Sequence, residues 1–132
     1  MTSGNPVEQE RAERLVAAGA TVLPQKSLAE LIVELQGMAG VITVDSGIGH
    51  LSATMGIPTL GLYGPTDGDL TGTHGPRASY LQGEASCVPC LNKRCRYRGE
   101  PKYWQDVAVS PPCFAALTPE HVWQAAQALM AG

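Results

Sequence analysis

The sequence has no excess of positive charge: nine Lys and Arg stand against twelve Asp and Glu, for a net charge of -3. Phosphate backbones are bound through clustered cations, so this balance argues against a nucleic-acid partner. The one basic cluster, Lys93, Arg94, Arg96 and Arg98, is interleaved with cysteines and reads as a solvated loop face. Trp104 and Trp123 have no basic groove beside them, so they read as packing rather than as base-stacking surfaces. No apolar run approaches the roughly 20 residues that span a bilayer. The opening stretch MTSGNPVEQERAERL lacks a basic-then-apolar signal pattern, and the expectation is a cytoplasmic chain. There is no internal repeat. Charged residues make up only 16% of the chain, but 44% is apolar, which is a globular balance and not a disordered one. At 132 residues the chain is about one domain long, and residues 1–132 are expected to form a single unit.

Residues 8–18, rich in strong helix formers, predict a helix with Ala12, Leu15 and Val16 on one side and Gly19 past its end. Thr21, Val22 and Leu23 form a short strand candidate closed by Pro24. In SLAELIVELQGM, Ser27 can cap a helix and Glu30, three residues on, can complete a capping box, with Leu28, Leu31, Ile32 and Leu35 as the buried stripe. Residues 41–44 predict a strand covered on both faces, 48–55 a short helix broken by Gly56, Ile57 and Pro58, and 59–63 a second buried strand. That alternation predicts βαβ units and a parallel sheet. Residues 64–116 read mostly as loop, long enough to be functional or tied down. Thr118, Pro119 and Glu120 start a last helix, running to about Met130.

The stretch VDSGIGH, residues 44–50, follows the first sheet strand directly and carries more chemistry than a turn needs. In parallel α/β sheets ligands bind beyond the carboxyl ends of the strands, where loops feed helix N-termini. Gly47 and Gly49 allow the backbone to come close to a ligand, and the free amides of the next helix with its dipole favour an anion. Ser46 can add a hydroxyl donor, and His50 falls in the first turn, where a phosphate would favour its charged form. Asp45 repels a phosphate and suits a sugar hydroxyl or the backbone of the loop. The spacing is neither the dinucleotide fingerprint nor a P-loop, which would need a lysine. A second glycine-rich loop, GPTDGDLTGTHG, leaves the next strand end, so two adjacent strand ends face one crevice. His74 and His121 both read as plain residues, His74 in that glycine loop within reach of a ligand and His121 on the surface in a helix first turn.

The segment VDSGIGHLSATMGIPTLGLYGPTDGDLTGTHG resembles the C-terminal half of the ADP-heptose:lipopolysaccharide heptosyltransferases, through a strand, D-[ST]-G-x-x-H, a short helix, a strand and then G-P-T-D. VLPQKSLAEL upstream and the C-x-P-C to [IL]-x-P-E-x-V pattern over residues 87–122 extend the likeness to nearly the whole chain. The resemblance implies a Rossmann-like parallel sheet with flanking helices, the second half of a GT-B glycosyltransferase truncated at its N-terminal side. It implies that Asp45, Ser46, Gly47 and His50 hold the diphosphate and heptose of ADP-heptose, that Glu8 binds the adenosine ribose and Lys26 stands against the adenine, and that Thr66 and Asp67 line the sugar end. Gly68 stands where many members have proline.

The same likeness implies transfer of heptose to the lipopolysaccharide inner core, with no cofactor required. The acceptor and the general base belong to the half that this chain does not show, so these residues alone are expected not to turn over. The whole enzyme would work in the cytoplasm at the inner face of the inner membrane, with peripheral contact and no spanning segment. A binding module for a nucleotide or phosphosugar, or another GT-B enzyme such as a sugar-nucleotide epimerase, are the alternatives, since fold does not fix function.

Four cysteines, Cys87, Cys90, Cys95 and Cys113, have the spacing C-x2-C-x4-C-x17-C within the loop region at about 84–116. Four thiolates suffice for a tetrahedral structural zinc, but the later spacing fits no zinc ribbon, and zinc, disulfides and free thiols all stand as readings.

Overall fold

A computed structural model describes residues 5–132. The chain divides into two compact units, Met1–Gly37 and Met38–Gly132.

In the first unit, α1 is Pro6–Val16. Its start is set by Asn5, whose side chain accepts from the Glu8 amide at 2.9 Å, and by proline at the first helical position, so the helix begins two residues before the run of strong helix formers. Gly19 follows at φ +93°, a conformation glycine adopts without a Cβ penalty. Of the expected apolar side only Ala12 is buried, while Leu15 and Val16 are exposed. Thr21, Val22 and Leu23 do not form a strand: Leu23 alone makes an isolated bridge, and Pro24 behind it has no amide with which to extend a ladder. Helix α2, Leu28–Gln36, carries the complete capping box, with Ser27 Oγ accepting from the Glu30 amide and Glu30 Oε2 accepting from the Ser27 amide at 2.8 Å. Leu35 is buried, but Leu28 is exposed; Cβ bonds tilt toward the helix N-terminus, so a side chain at the first position overhangs the start.

In the second unit, β1 (Val41–Val44), β2 (Thr59–Tyr63) and β3 (Ala78–Gln82) form a parallel sheet in that order. The link from β1 to β2 is α3 (Gly47–Thr54), and that from β2 to β3 contains the short α4 (Gly68–Thr71). Register places Thr43, Thr59, Gly61, Tyr63, Tyr80 and Gln82 on one face, with Ile42, Leu60 and Leu62 on the other. Helix α3 covers the first face. The hydroxyl of Thr59 sits between Ser52 Oγ and the Ile57 carbonyl, so the buried polar groups of this contact are satisfied. Helix α5 (Pro119–Ala131) packs on β2 and β3, with Leu60 and Ala126 buried. Arg77, just before β3, donates to the carbonyls of Leu129, Met130 and Gly132 and so closes the end of α5 where the helix dipole favours a cation.

Strand β2 is covered on both faces, as its unbroken apolar run predicts. Strand β1 is not: it is the edge of the three-stranded sheet and α5 lies over its neighbours, so Ile42 and Val44 are about half exposed. Strand β3 lies inside the stretch expected as loop. The sequence ASYLQ has no β-branched residue to announce a strand, and pairing with β2 makes it one.

The cysteine region is tied by backbone bonds. Glu84 donates to the Cys113 carbonyl at 3.0 Å and Leu91 to the Pro65 carbonyl at 2.8 Å. Strands β4 (Tyr103–Trp104) and β5 (Val107–Ala108) form an antiparallel pair, and a 3-10 turn spans Pro112–Phe114. Among the described residues, no helix is long and apolar enough to cross a membrane.

Candidate functional site

The second unit gathers its polar side chains at the carboxyl ends of β1 and β2. Ser46 is the N-cap of α3, extended at φ -155°, and its hydroxyl accepts from the Gly49 amide at 3.4 Å while pairing with Thr43 Oγ1 at 2.9 Å. Ser46 is therefore committed to the cap. The amide of His50 bonds the Ser46 carbonyl at 3.3 Å. Among the described residues, the amides of Gly47 and Ile48 have no protein acceptor, as expected of the first helical positions.

The two glycines divide the work. A Cβ built at Gly47 meets nothing within 4 Å, so the backbone there is open to approach. At Gly49 a Cβ would lie 2.6 Å from Thr43 Cγ2. Gly49 is buried and lets α3 lie close on β1; its role is packing, not the ligand approach expected of it.

Asp45 joins the site together. One carboxylate oxygen lies 3.5 Å from His50 Nε2 and the other accepts from Thr71 Oγ1 at 3.3 Å, so the acid bridges α3 and α4 across the strand ends. The His50 ring is 44% exposed and the Asp45 side chain 28% exposed, so both remain reachable from solvent. Beneath them the Tyr63 hydroxyl donates to the Thr71 carbonyl at 2.9 Å. Burial, then the Asp45 charge, raises the Tyr63 phenol above its usual range. Tyr63 thus stays a neutral donor.

Thr66 and Asp67 follow β2. Asp67 caps α4 by accepting from the Asp69 amide at 2.9 Å. The Tyr80 hydroxyl donates to Asp69, and that bond, followed by desolvation, raises its phenol. An open cavity of about 730 Å³ lies beside this loop, bounded by Asp67, Asp69, Tyr80, Gln82 and Glu84. Gln82 carried no signal in the sequence, yet its amide meets backbone groups of Tyr63, Gly64, Thr66 and Gly68 around the GPTD turn. At Gly68, a side chain would run into the Tyr80 ring, which accounts for glycine in place of proline.

His74 is not part of this group. It lies exposed shortly before β3, and because the strands are parallel that end is opposite to the one carrying Asp45. His121 is exposed in the first turn of α5, as expected.

In the first unit, Glu8 lies on exposed α1. Lys26 pairs with Glu34 at 2.8 Å, and this hydrogen bond raises its pKa.

All four cysteines are free. Cys87, Cys90, Cys95 and Cys113 line one cavity of about 580 Å³, and burial, with the other three thiols adding to it, raises the Cys113 thiol. The zinc reading finds no assembled ligand set: among the described residues, no group of three or more His, Cys, Asp or Glu could hold a metal ion.

The family model for glycosyltransferase family 9 (heptosyltransferase) matches residues 1–100. The chain belongs to this family. It is 38% identical over 132 aligned residues to lipopolysaccharide heptosyltransferase 1 of Pseudomonas aeruginosa, covering 96% of this chain and 37% of that protein. It is 43% identical over 74 residues to the protein of the same name from Salmonella typhimurium, covering 54% of this chain and 23% of that one. Among solved structures, the E. coli heptosyltransferase WaaC with ADP matches at a TM-score of 0.57 and 38% identity, over 61% of this chain and 26% of that one. The parallel sheet with its flanking helices is accordingly Rossmann-like and matches part of that structure. The chain spans little more than a third of the length of the first of these curated relatives.

Proposed function

We propose that this chain is the donor-binding part of a family 9 glycosyltransferase that transfers heptose from ADP-heptose to the lipopolysaccharide inner core. The observation that carries the reading is the start of α3, where the amides of Gly47 and Ile48 have no protein acceptor among the described residues and Gly47 faces open space. Oriented amides and a helix dipole at that point suit a diphosphate. His50, next to them and paired with Asp45, supplies a cation when protonated. Asp45 suits a sugar hydroxyl, and Thr66 and Asp67 are assigned to the sugar end by family likeness. Glu8 and Lys26 are assigned to the ribose and adenine by family likeness.

Departure of ADP from the sugar leaves growing negative charge on the diphosphate, and fixed donors there lower the barrier without reorganising. Ser46 contributes indirectly, by holding the helix start. The acceptor and its general base belong to the other half of the enzyme, which works in the cytoplasm against the inner membrane.

Titration calorimetry of the chain with ADP, ADP-heptose and UDP-sugars tests this. ADP ligands should bind and UDP-sugars bind more weakly, and His50→Ala should cost about fivefold in ADP affinity, near 1 kcal/mol. Equal heats from UDP- and ADP-sugars would point to another GT-B enzyme, and no heat from either would sink the donor-site reading.

A further inference from the structure

We infer that Gln82 is a positioning residue for the Thr66–Asp67 turn, and thereby for selection of the sugar end of the donor. The side chain sits at the last position of β3, directly across from Tyr63 in the sheet register and on the same face. Its Nε2 lies 3.1 Å from each of three carbonyls, those of Tyr63, Gly64 and Thr66. Its Oε1 accepts from the Gly68 amide at 2.9 Å. Three acceptors around one end and an N–H at the other leave only one orientation for the amide.

These four contacts span the turn from its first residue to the start of α4. No other described side chain reaches so many of its backbone groups. The Gly64 and Thr66 carbonyls do not belong to a helix or strand, and without Gln82 they would have to find water. Gly68 completes the fit. Proline, which has no N–H, could not make the bond to Oε1, and any Cβ there would meet the Tyr80 ring. Gln82 and Gly68 therefore form one device, in which a side chain amide on the third strand reads the backbone of the turn leaving the second. The same side chain borders the 730 Å³ cavity beside Asp67, so a change in it is transmitted to the groups a ligand would meet.

This inference rests on the assignment of Thr66 and Asp67 to the sugar end. Two readouts on the 132-residue chain separate it from that assignment. The variants are Gln82→Met, which keeps the length and loses every hydrogen bond, and Gln82→Glu, which keeps the acceptor for Gly68 and turns a carboxylate toward three carbonyls. Amide exchange at Gly68 should accelerate about tenfold or more in Gln82→Met. The affinity for ADP-heptose should fall by about tenfold in both, more in Gln82→Glu, while that for ADP alone stays within about twofold. A role confined to stability would move both ligands together and overturns the inference, as does a preference for ADP-heptose that survives in both variants. An unsubstituted chain that binds ADP and ADP-heptose equally overturns the sugar-end assignment itself, and this role with it. Should either variant fail to fold, Gln82→Asn, whose amide stops one methylene short of the carbonyls, gives the same readouts.

Discussion

Two glycines separated by one residue in VDSGIGH look alike in sequence and do opposite things in space. Alanine at position 49 would press its Cβ into Thr43 at 2.6 Å between a helix and a strand, neither of which can retreat alone. Gly49→Ala should therefore cost about 1–3 kcal/mol of unfolding free energy, the usual penalty for overpacking. Gly47→Ala meets open space and should stay within about 0.5 kcal/mol of the parent, read in the same urea titration. Equal losses in the two would mean that α3 does not lie on β1 as described. Asp45 teaches a similar lesson. Beside the sugar hydroxyl or loop backbone its sequence neighbours suggested, the fold gives it two protein partners, His50 and Thr71, the second being 26 residues away. Local pattern could not foresee Thr71, because only the parallel pairing of β1 and β2 brings the loop after β1 within reach of the residues that follow β2.

The elements most legible in the sequence are those whose ends are written in local chemistry. Ser27 with Glu30 and Thr118 with Pro119 mark helix starts by hydrogen bonds that close within three residues, and both helices begin where these residues place them. The capping box also makes α2 acid-sensitive. The Ser27 hydroxyl, then the Ser27 amide, holds the Glu30 carboxyl below its ordinary pKa. A depressed carboxylate stabilises the fold fully above its unfolded pKa and loses that contribution as pH falls through the folded value. Stability of the chain should thus decline from about pH 4.3 downward through this group. Gln at position 30 can still bond the Ser27 amide but does not titrate, so Glu30→Gln should flatten that part of the profile of urea midpoint against pH. An unchanged slope would show that the box is not formed in solution. Strand β3 was illegible for the opposite reason, since ASYLQ has no β-branched residue and only Tyr80 favours a strand, and its order comes from a neighbour 19 residues earlier in register.

At the scale of the molecule, a sheet, a helix start and two amides without a protein acceptor among the described residues make up the proposed donor site, and a donor site is not a complete transferase. The chain covers 37% of the Pseudomonas relative's length. We expect the isolated chain to show no heptose transfer to a lipid A core acceptor by mass spectrometry, and product at any measurable rate would overturn the assignment of acceptor chemistry to the other half. The sequence by itself determined the parallel α/β alternation, the helix caps and the family motif, because each depends on residues close together in the chain. Tertiary structure alone decided which glycine packs and which stays open, that Asp45 bridges two helices, that Ile42 and Val44 face solvent, and that Gln82 spans the turn after β2. Those outcomes depend on strand register and on what lies across a sheet, distances in space that carry no trace in local order.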